Sequence, residues 1–217
     1  MSNRTVRDGD IWRVGSHIMA CGDIERGDAL SLAIQYSPSM VLCDPPWGPG
    51  PARAYCTKAG ISRSVNFGSF VNTLLAAFHS IDGLIAIEMG NAQIKEVADC
   101  ARRAGFLHIR VMPMFYYRKK PCSCVIMSRK VLPCKIENLP CEDEPVVYRW
   151  IIQQFSSRGD RVFDPCVGKG MTAVIAHKMG RPVLGMELNP HRLAFALDSL
   201  ERAGAGRPEK IGDLHAT

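Results

Sequence analysis

Phe163-Asp164-Pro165-Cys166-Val167-Gly168-Lys169-Gly170-Met171-Thr172 reads as a strand end, a glycine-bearing turn and the opening of a helix. Glycines let the backbone approach a ligand closely, and a helix N-terminus offers free N–H groups to an anion. Downstream, Val183-Leu184-Gly185-Met186-Glu187-Leu188-Asn189-Pro190 ends a second strand on an acid. An acid in that place commonly accepts hydrogen bonds from ribose hydroxyls. The pair forms a generic nucleotide half-site, and the G-x-G-x-x-G pattern of a dinucleotide dehydrogenase is missing.

Working outward, short apolar runs alternate with helical spacing, the pattern of a parallel-type sheet flanked by helices. Strands are expected at His17–Cys21, Met40–Cys43, Leu84–Met89, Ile109–Tyr117, Cys124–Ser128, Arg161–Phe163 and Val183–Met186. Helices are expected at Phe70–Ser80, Ala92–Ala104, Pro145–Ser156, Thr172–Met179 and His191–Arg202. This predicts one α/β, Rossmann-like domain over residues 1–203, with a mostly parallel seven-stranded sheet and helices on both faces. A polar, frayed tail is expected over residues 204–217. Gly48–Gly68 and Lys130–Glu144 read as irregular loops, the places where α/β sheets gather ligands.

With 217 residues, 47% hydrophobic and 22% charged, the chain can bury one full core, which excludes disorder, collagen and coiled coil. No apolar run reaches membrane-span length, and Met1–Asp10 has no apolar signal region. The net charge of +6 is compatible with a phosphate-bearing partner. Nine cysteines, most inside apolar runs, suit a reducing cytoplasm. Cys122, Cys124, Cys134 and Cys141 could be drawn as four zinc thiolates, but their spacing matches no common structural zinc pattern, and no metal is expected.

The sharpest chemistry lies in Asp44-Pro45-Pro46-Trp47, directly after the Met40–Cys43 run. Two prolines fix the backbone and remove N–H donors, leaving the Asp44 carboxylate and Pro45 carbonyl as acceptors beside a flat indole. Such a cluster suits a planar ring bearing an exocyclic amino group. A rigid turn with a partly buried tryptophan is the alternative reading of this motif alone.

Together, Asp44–Trp47 and Phe163–Thr172 resemble the two signature motifs of S-adenosylmethionine-dependent amino-methyltransferases acting on adenine N6 or cytosine N4. The catalytic motif comes first and the cofactor loop last, as in a circularly permuted, beta-class-like member. The resemblance spans about residues 15–200 and implies that Asp44, Pro45, Pro46 and Trp47 are catalytic. It implies a cofactor site built from Asp23, Ile24, Asp44, Asp164, Pro165, Cys166, Gly168, Lys169, Gly170, Met171, Thr172, Glu187, Leu188 and Asn189. Within that site, Asp23 is expected to accept from the cofactor adenine amino group and Ile24 to pack on its ring. Trp47, with Tyr116 or Tyr117, is expected to hold the target base. Arg118, Lys119, Arg53, Lys58 and Arg63 are expected to form a phosphate-contacting rim.

Two departures stand out. The helix that usually opens with Lys-Pro opens here with Glu144-Pro145, and Lys169 stands where a small residue is usual. The Trp form of the catalytic motif is familiar among adenine enzymes, while cytosine N4 enzymes often carry Ser in place of Asp44. The resemblance thus implies N6-adenine methylation of DNA. RNA adenine, cytosine N4, a small-molecule substrate and a catalytically silent nucleic-acid-binding subunit are the alternatives. Lys130–Glu144 offers little chain for target recognition, which leans towards a homodimer.

Overall fold

The computed structural model describes residues 4–216; Met1–Asn3 of the N-terminal stretch and Thr217 of the tail lie outside the described residues. The first half contains β1 (Asp10–Val14), β2 (His17–Cys21), α1 (Asp28–Tyr36), β3 (Met40–Cys43), α2 (Pro49–Lys58), α3 (Phe67–Ala76), β4 (Ile85–Met89) and α4 (Ile94–Arg103). There follow β5 (His108–Tyr116), β6 (Lys120–Ser128), α5 (Glu144–Phe155), β7 (Val162–Asp164), α6 (Met171–Lys178), β8 (Val183–Glu187), α7 (Pro190–Arg202) and β9 (Glu209–Asp213).

One sheet holds all nine strands, in the order β5-β6-β4-β3-β7-β8-β2-β1-β9. The five central strands, β4 to β2, run parallel. Antiparallel pairs flank them on both sides: β4–β6 and β5–β6 at one edge, β1–β2 and β1–β9 at the other. The expected seven-stranded, mostly parallel sheet is therefore corrected to a mixed, nine-stranded one.

The two extra strands explain the difference. β1 reads Asp-Ile-Trp-Arg-Val, too broken by charge to mark a strand, and it forms a hairpin with β2. β9 lies in the tail expected to fray; its polar side chains are exposed or half-buried because it is an edge strand, held through its backbone by β1. Gly48–Gly68 is not a loop throughout. Pro49 and Pro51 fall in the first turn of α2, where proline costs no hydrogen bond, so residues that look like breakers begin a helix. Helix α1 was also unmarked in the sequence.

Alternation along the strands divides the core into two layers. Val41 and Cys43 face a layer with Leu32 of α1, Leu74 of α3 and Val97 of α4. Met40 and Leu42 face the other, with Ile151 of α5, Ala173 of α6 and Leu197 of α7. Phe163 and Leu184 join the first layer, Val162 and Val183 the second. Covered on both faces, the central strands become continuous apolar runs, which is why they were readable. Among the described residues no helix is long and apolar enough to cross a membrane.

His17, at the start of β2, is buried, and its Nδ1 accepts from the Val183 N–H at 3.0 Å. Its Nε2 lies 3.0 Å from His177 Nδ1. Burial, reinforced by His177 and Arg161, pushes the His17 imidazolium down to about 4 from an ordinary 6.5. Between those values the unfolded chain takes up a proton that the folded chain refuses. This contribution is complete above pH 6.5 and falls by on the order of 3 kcal/mol as pH drops through 4. Urea unfolding of wild type and His17→Gln at pH 7 and pH 4.5 tests this. The acid-induced loss should be about 2 kcal/mol smaller in the variant; equal losses would place the acid sensitivity elsewhere.

Candidate functional site

The central strands bring four acids to one edge of the sheet. Asp44 follows β3, Glu88 lies near the end of β4, and Asp164 and Glu187 end β7 and β8. Asp44 and Glu88 lie one step beyond the paired Cys43 and Ile87, so parallel register makes them neighbours. Above this edge lies a cavity of about 320 Å³.

Asp164 opens the glycine turn. Its Oδ1 accepts from the Cys166 N–H at 3.0 Å, and the Thr172 side chain supplies a second hydrogen bond. Burial nevertheless pushes its carboxyl up to about 7. Gly168 has φ 57°, and a β-carbon there would come within 2.7 Å of Arg192 Nη2. Gly170, with φ 92°, packs on α7 so closely that a β-carbon would lie 3.1 Å from Ala196 Cα. The positive φ favours glycine at both positions, and at Gly170 the backbone of α7 also crowds a β-carbon. Lys169, between them, borders the cavity and carries its ammonium over the Phe195 ring at 5.4 Å.

Glu187 Oε1 accepts from the Asn189 N–H at 2.9 Å, and Arg192 Nε lies 3.6 Å from Oε2. Burial still raises its carboxyl above the ordinary range. The Asn189 side chain caps α7 and also donates from Nδ2 to the Lys58 carbonyl at 2.7 Å, tying the end of α2 to this corner. Ile24, Pro165, Cys166, Met171, Thr172 and Leu188 complete this part of the lining.

Asp44 forms the opposite wall. The Trp47 indole N–H donates to its Oδ1 at 2.7 Å, which leaves Oδ2 for a ligand. Burial pushes the Asp44 carboxyl up to about 7, opposed by the indole hydrogen bond and reinforced by Glu144. A second cavity, of about 440 Å³, adjoins the first. Asp44, Pro46, Tyr55 and Tyr116 line both. Pro45, Trp47, Asn91, Gln93 and Lys120 belong to the second alone. Trp47 meets the Tyr116 ring edge to face at 5.2 Å, and Lys120 Nζ stands 4.8 Å from the indole centre. Gly90 leaves room for that indole, since a β-carbon there would lie 2.9 Å from Trp47 Cε3.

The structure sets two of the expected residues against each other: Arg63 is ion-paired with Asp23 and Glu25 at the cavity wall. The same pairing occupies the Asp23 carboxylate, whose Oδ1 also caps the Ile24–Arg26 turn through the Glu25 N–H at 3.0 Å. Arg53 and Lys58 are exposed on α2, and Arg118 and Lys119 at the tip of the β5–β6 hairpin, as a rim requires.

That tip is unusual. Tyr116 C=O accepts from the Lys119 N–H at 3.2 Å, and the two central residues have positive φ, 49° at Tyr117 and 58° at Arg118. Glycine or asparagine normally fills this turn, and the left-handed conformation costs other residues about 1–2 kcal/mol each. Carboxylates at the start of α5 offset the cost. Glu144 Oε2 accepts from the Tyr117 N–H at 3.0 Å and Asp143 Oδ1 from the Arg118 N–H at 2.9 Å. Glu144 is thus buried in the cavity wall as a clamp on this turn, in the place where a lysine was usual.

Sequence reasoning missed Glu88, Tyr148, Tyr55 and Arg192. Glu88 is fully buried, accepts from the Tyr148 hydroxyl at 2.8 Å, and is pushed up to about 9 by burial and by Asp44. A lone acid inside Ile85-Ala86-Ile87-Glu88-Met89 was its signal. Tyr55 sat in the stretch read as a loop, and nothing marked Arg192. Cys21, Cys43 and Cys166 stay protonated because burial drives their thiols up, Cys21 to about 12. Cys21 and Cys43 pack in the core, while Cys166 is half-buried in the cavity wall.

Comparison with known proteins bears on this geometry. A family model described as DNA methylase, of the N6 and N4 methyltransferases, matches residues 141–198. The amino-methyltransferase resemblance holds. Among solved structures, PvuII DNA methyltransferase, cytosine-N4-specific, shares 13% identity, with 94% of each chain covered and a TM-score of 0.60. M1.HpyAVI shares 14%, covering 84% of this chain and 98% of its own, with a TM-score of 0.58. TTHA0409 from Thermus thermophilus, solved with S-adenosyl-L-methionine, shares 19%, covering 88% and 97%, with a TM-score of 0.57. At these identities the likeness is one of fold. No curated protein matches the sequence.

Removal of the indole donor should raise the Asp44 carboxyl further. Carboxyl ¹³C NMR should find Asp44 titrating near 7 in the wild type. In Trp47→Phe the midpoint should rise by about one pH unit or more, the worth of a hydrogen bond to a charged group. An unmoved midpoint would mean that the indole does not hold Asp44 in solution.

Proposed function

We propose that this protein is an S-adenosylmethionine-dependent DNA amino-methyltransferase that methylates the N6 amino group of adenine. The observation that carries this reading is that Asp44 lines two adjoining cavities at once. A cofactor in one and a base in the other meet at its carboxylate.

The first cavity suits the cofactor. Its glycine turn at Gly168 admits a ligand against the backbone, Glu187 stands at the strand end where ribose hydroxyls are met, and the acidic walls suit a cationic group. Residues 164–172, Ile24 and Leu188 would hold it, and Asp23 would face the adenine end as part of its pair with Arg63. S-adenosylmethionine supplies an electrophilic methyl group on a sulfonium sulfur.

This chain's own residues do the rest. An exocyclic amino nitrogen is a weak nucleophile because its lone pair is delocalised into the ring. Hydrogen bonds from its N–H groups to Asp44 Oδ2 and the Pro45 carbonyl favour a pyramidal nitrogen with the lone pair freed. Positive charge developing on that nitrogen is stabilised by the ionised Asp44, which then accepts the leaving proton. Trp47 and Tyr116 hold the base by its faces. Pro46 keeps the turn rigid between them. Arg53, Lys58, Arg118 and Lys119 supply phosphate contacts.

The Trp form of the motif favours adenine. The fold shared with a cytosine-N4-specific enzyme makes cytosine N4 the second reading. The motif order supports a circularly permuted, beta-class-like arrangement. The short 130–144 stretch favours a second copy lending DNA-facing surface. Nine free cysteines suit the cytoplasm.

Labelled methyl transfer to unmethylated duplex DNA, single-stranded DNA and RNA, with mass identification of the product nucleoside, tests the proposal. N6-methyladenine in DNA is expected, reduced by about 10²-fold or more in Asp44→Ala. N4-methylcytosine or labelled RNA would reassign the target, and cofactor binding without transfer to any polymer would point to a small-molecule substrate, a missing partner or a silent subunit. The rate should also rise with pH through about 7, as Asp44 ionises. A rate flat from pH 6 to pH 8 would remove Asp44 as the proton acceptor.

A further inference from the structure

We propose that the β5–β6 hairpin tip, Tyr117–Lys120, opens the DNA duplex, with the Tyr117 ring entering the gap left by the target base. The inference rests on the methyltransfer reading for its partner, double-stranded DNA. A paired base lies inside the stack and must turn out of it to reach Asp44, at a free-energy cost that some element of the protein has to offset.

The tip stands where that element is needed. Tyr116 lines both cavities, Tyr117 the first and Lys120 the second. Tyr117 is 70% exposed, a large share for a tyrosine. Its ring meets that of Tyr116 edge to face with centres 4.5 Å apart, which leaves a flat face open to stacking.

Rigidity separates this tip from an ordinary surface turn. A wedge must hold its shape against a duplex that tends to close. Glycine would make this turn without strain, yet it is built from Tyr117 and Arg118 and held by Glu144 and Asp143. The backbone on the approach is fixed as well, with the Phe115 N–H donating to the Glu142 carbonyl at 2.9 Å. Residues 142–144 thus grip the strand end and the turn from one side, and Asp143 and Glu144 act as positioning residues. Strained backbone kept in place by its surroundings is characteristic of functional segments.

The charges fit the same partner. The Arg118 side chain is 86% exposed, with its Nε 3.8 Å from Asp143 Oδ2, and Lys119 and Lys120 follow it. Three cations next to an aromatic match phosphates on either side of an opened step. Lys120, now over the Trp47 ring, covers the face on which a base would stack, so an arriving base displaces its ammonium towards the backbone.

Fluorescence anisotropy with degenerate-sequence DNA duplexes, either fully paired or carrying one central abasic site, tests the proposal. The abasic duplex is already open, so wild-type protein should bind it about fivefold or more tightly than the paired one, the least that one base–aromatic stack contributes. Tyr117→Ala should bring the two affinities within about twofold, and Tyr117→Trp should retain the preference. Asp143→Asn with Glu144→Gln should lower it while leaving a cooperative thermal melt. No preference in the wild type, or an undiminished one in Tyr117→Ala, would overturn the proposal. Methyl transfer is read separately. Its absence on every polymer would sink the methyltransfer reading and leave the abasic-site comparison to decide the role of the tip.

Discussion

Carboxylates held out of water at the ends of four neighbouring parallel strands dominate this structure. Asp44, Glu88, Asp164 and Glu187 share one edge of the sheet, and burial raises every one of them above the ordinary carboxylate range. Like charges so close cannot all ionise cheaply, so each acid depends on local donors. Trp47 serves Asp44, Tyr148 serves Glu88, the Cys166 N–H and Thr172 serve Asp164, and the Asn189 N–H serves Glu187. The surrounding loops are shaped largely by that need.

The cavity between these loops therefore has an electrostatic character that its composition does not convey. The chain as a whole is basic, yet in the pocket wall Asp23, Glu25, Asp44, Glu144, Asp164 and Glu187 outnumber Arg63, Lys169 and Arg192, while further cations stand outside on α2 and the hairpin tip. A cationic group is favoured within and a polyanion at the rim. One protein surface can thereby meet two ligands of opposite charge without either competing for the other's place.

Much of this was legible in the sequence. Strands covered on both faces become unbroken apolar runs, so β2 and β3 were placed to the residue. The Asp44 motif and the glycine turn were legible because proline and glycine act locally, through their own backbone geometry. What stayed hidden depends on partners distant in the chain. β9 has no apolar signature and exists because β1 offers it a backbone. Arg63 looked like a solvent-facing cation until Asp23 and Glu25, some forty residues away, were found beside it. Helix α2 was masked by its prolines, which mark a break inside a helix and a beginning at its first turn.

The strand order bears on how the chain is made. β2 and β3 are close in sequence, yet β7 and β8 lie between them in the sheet, and more than a hundred residues separate β3 from β7. As the polypeptide leaves the ribosome, the exposed flanks of β2 and β3 have no partners until most of the chain has been synthesised. Long-range pairing of this kind is slow, and unpaired strand edges invite association with other chains. The nascent protein must therefore be shielded or kept apart from its copies until β8 emerges, and only then does the edge that carries the four acids come into being.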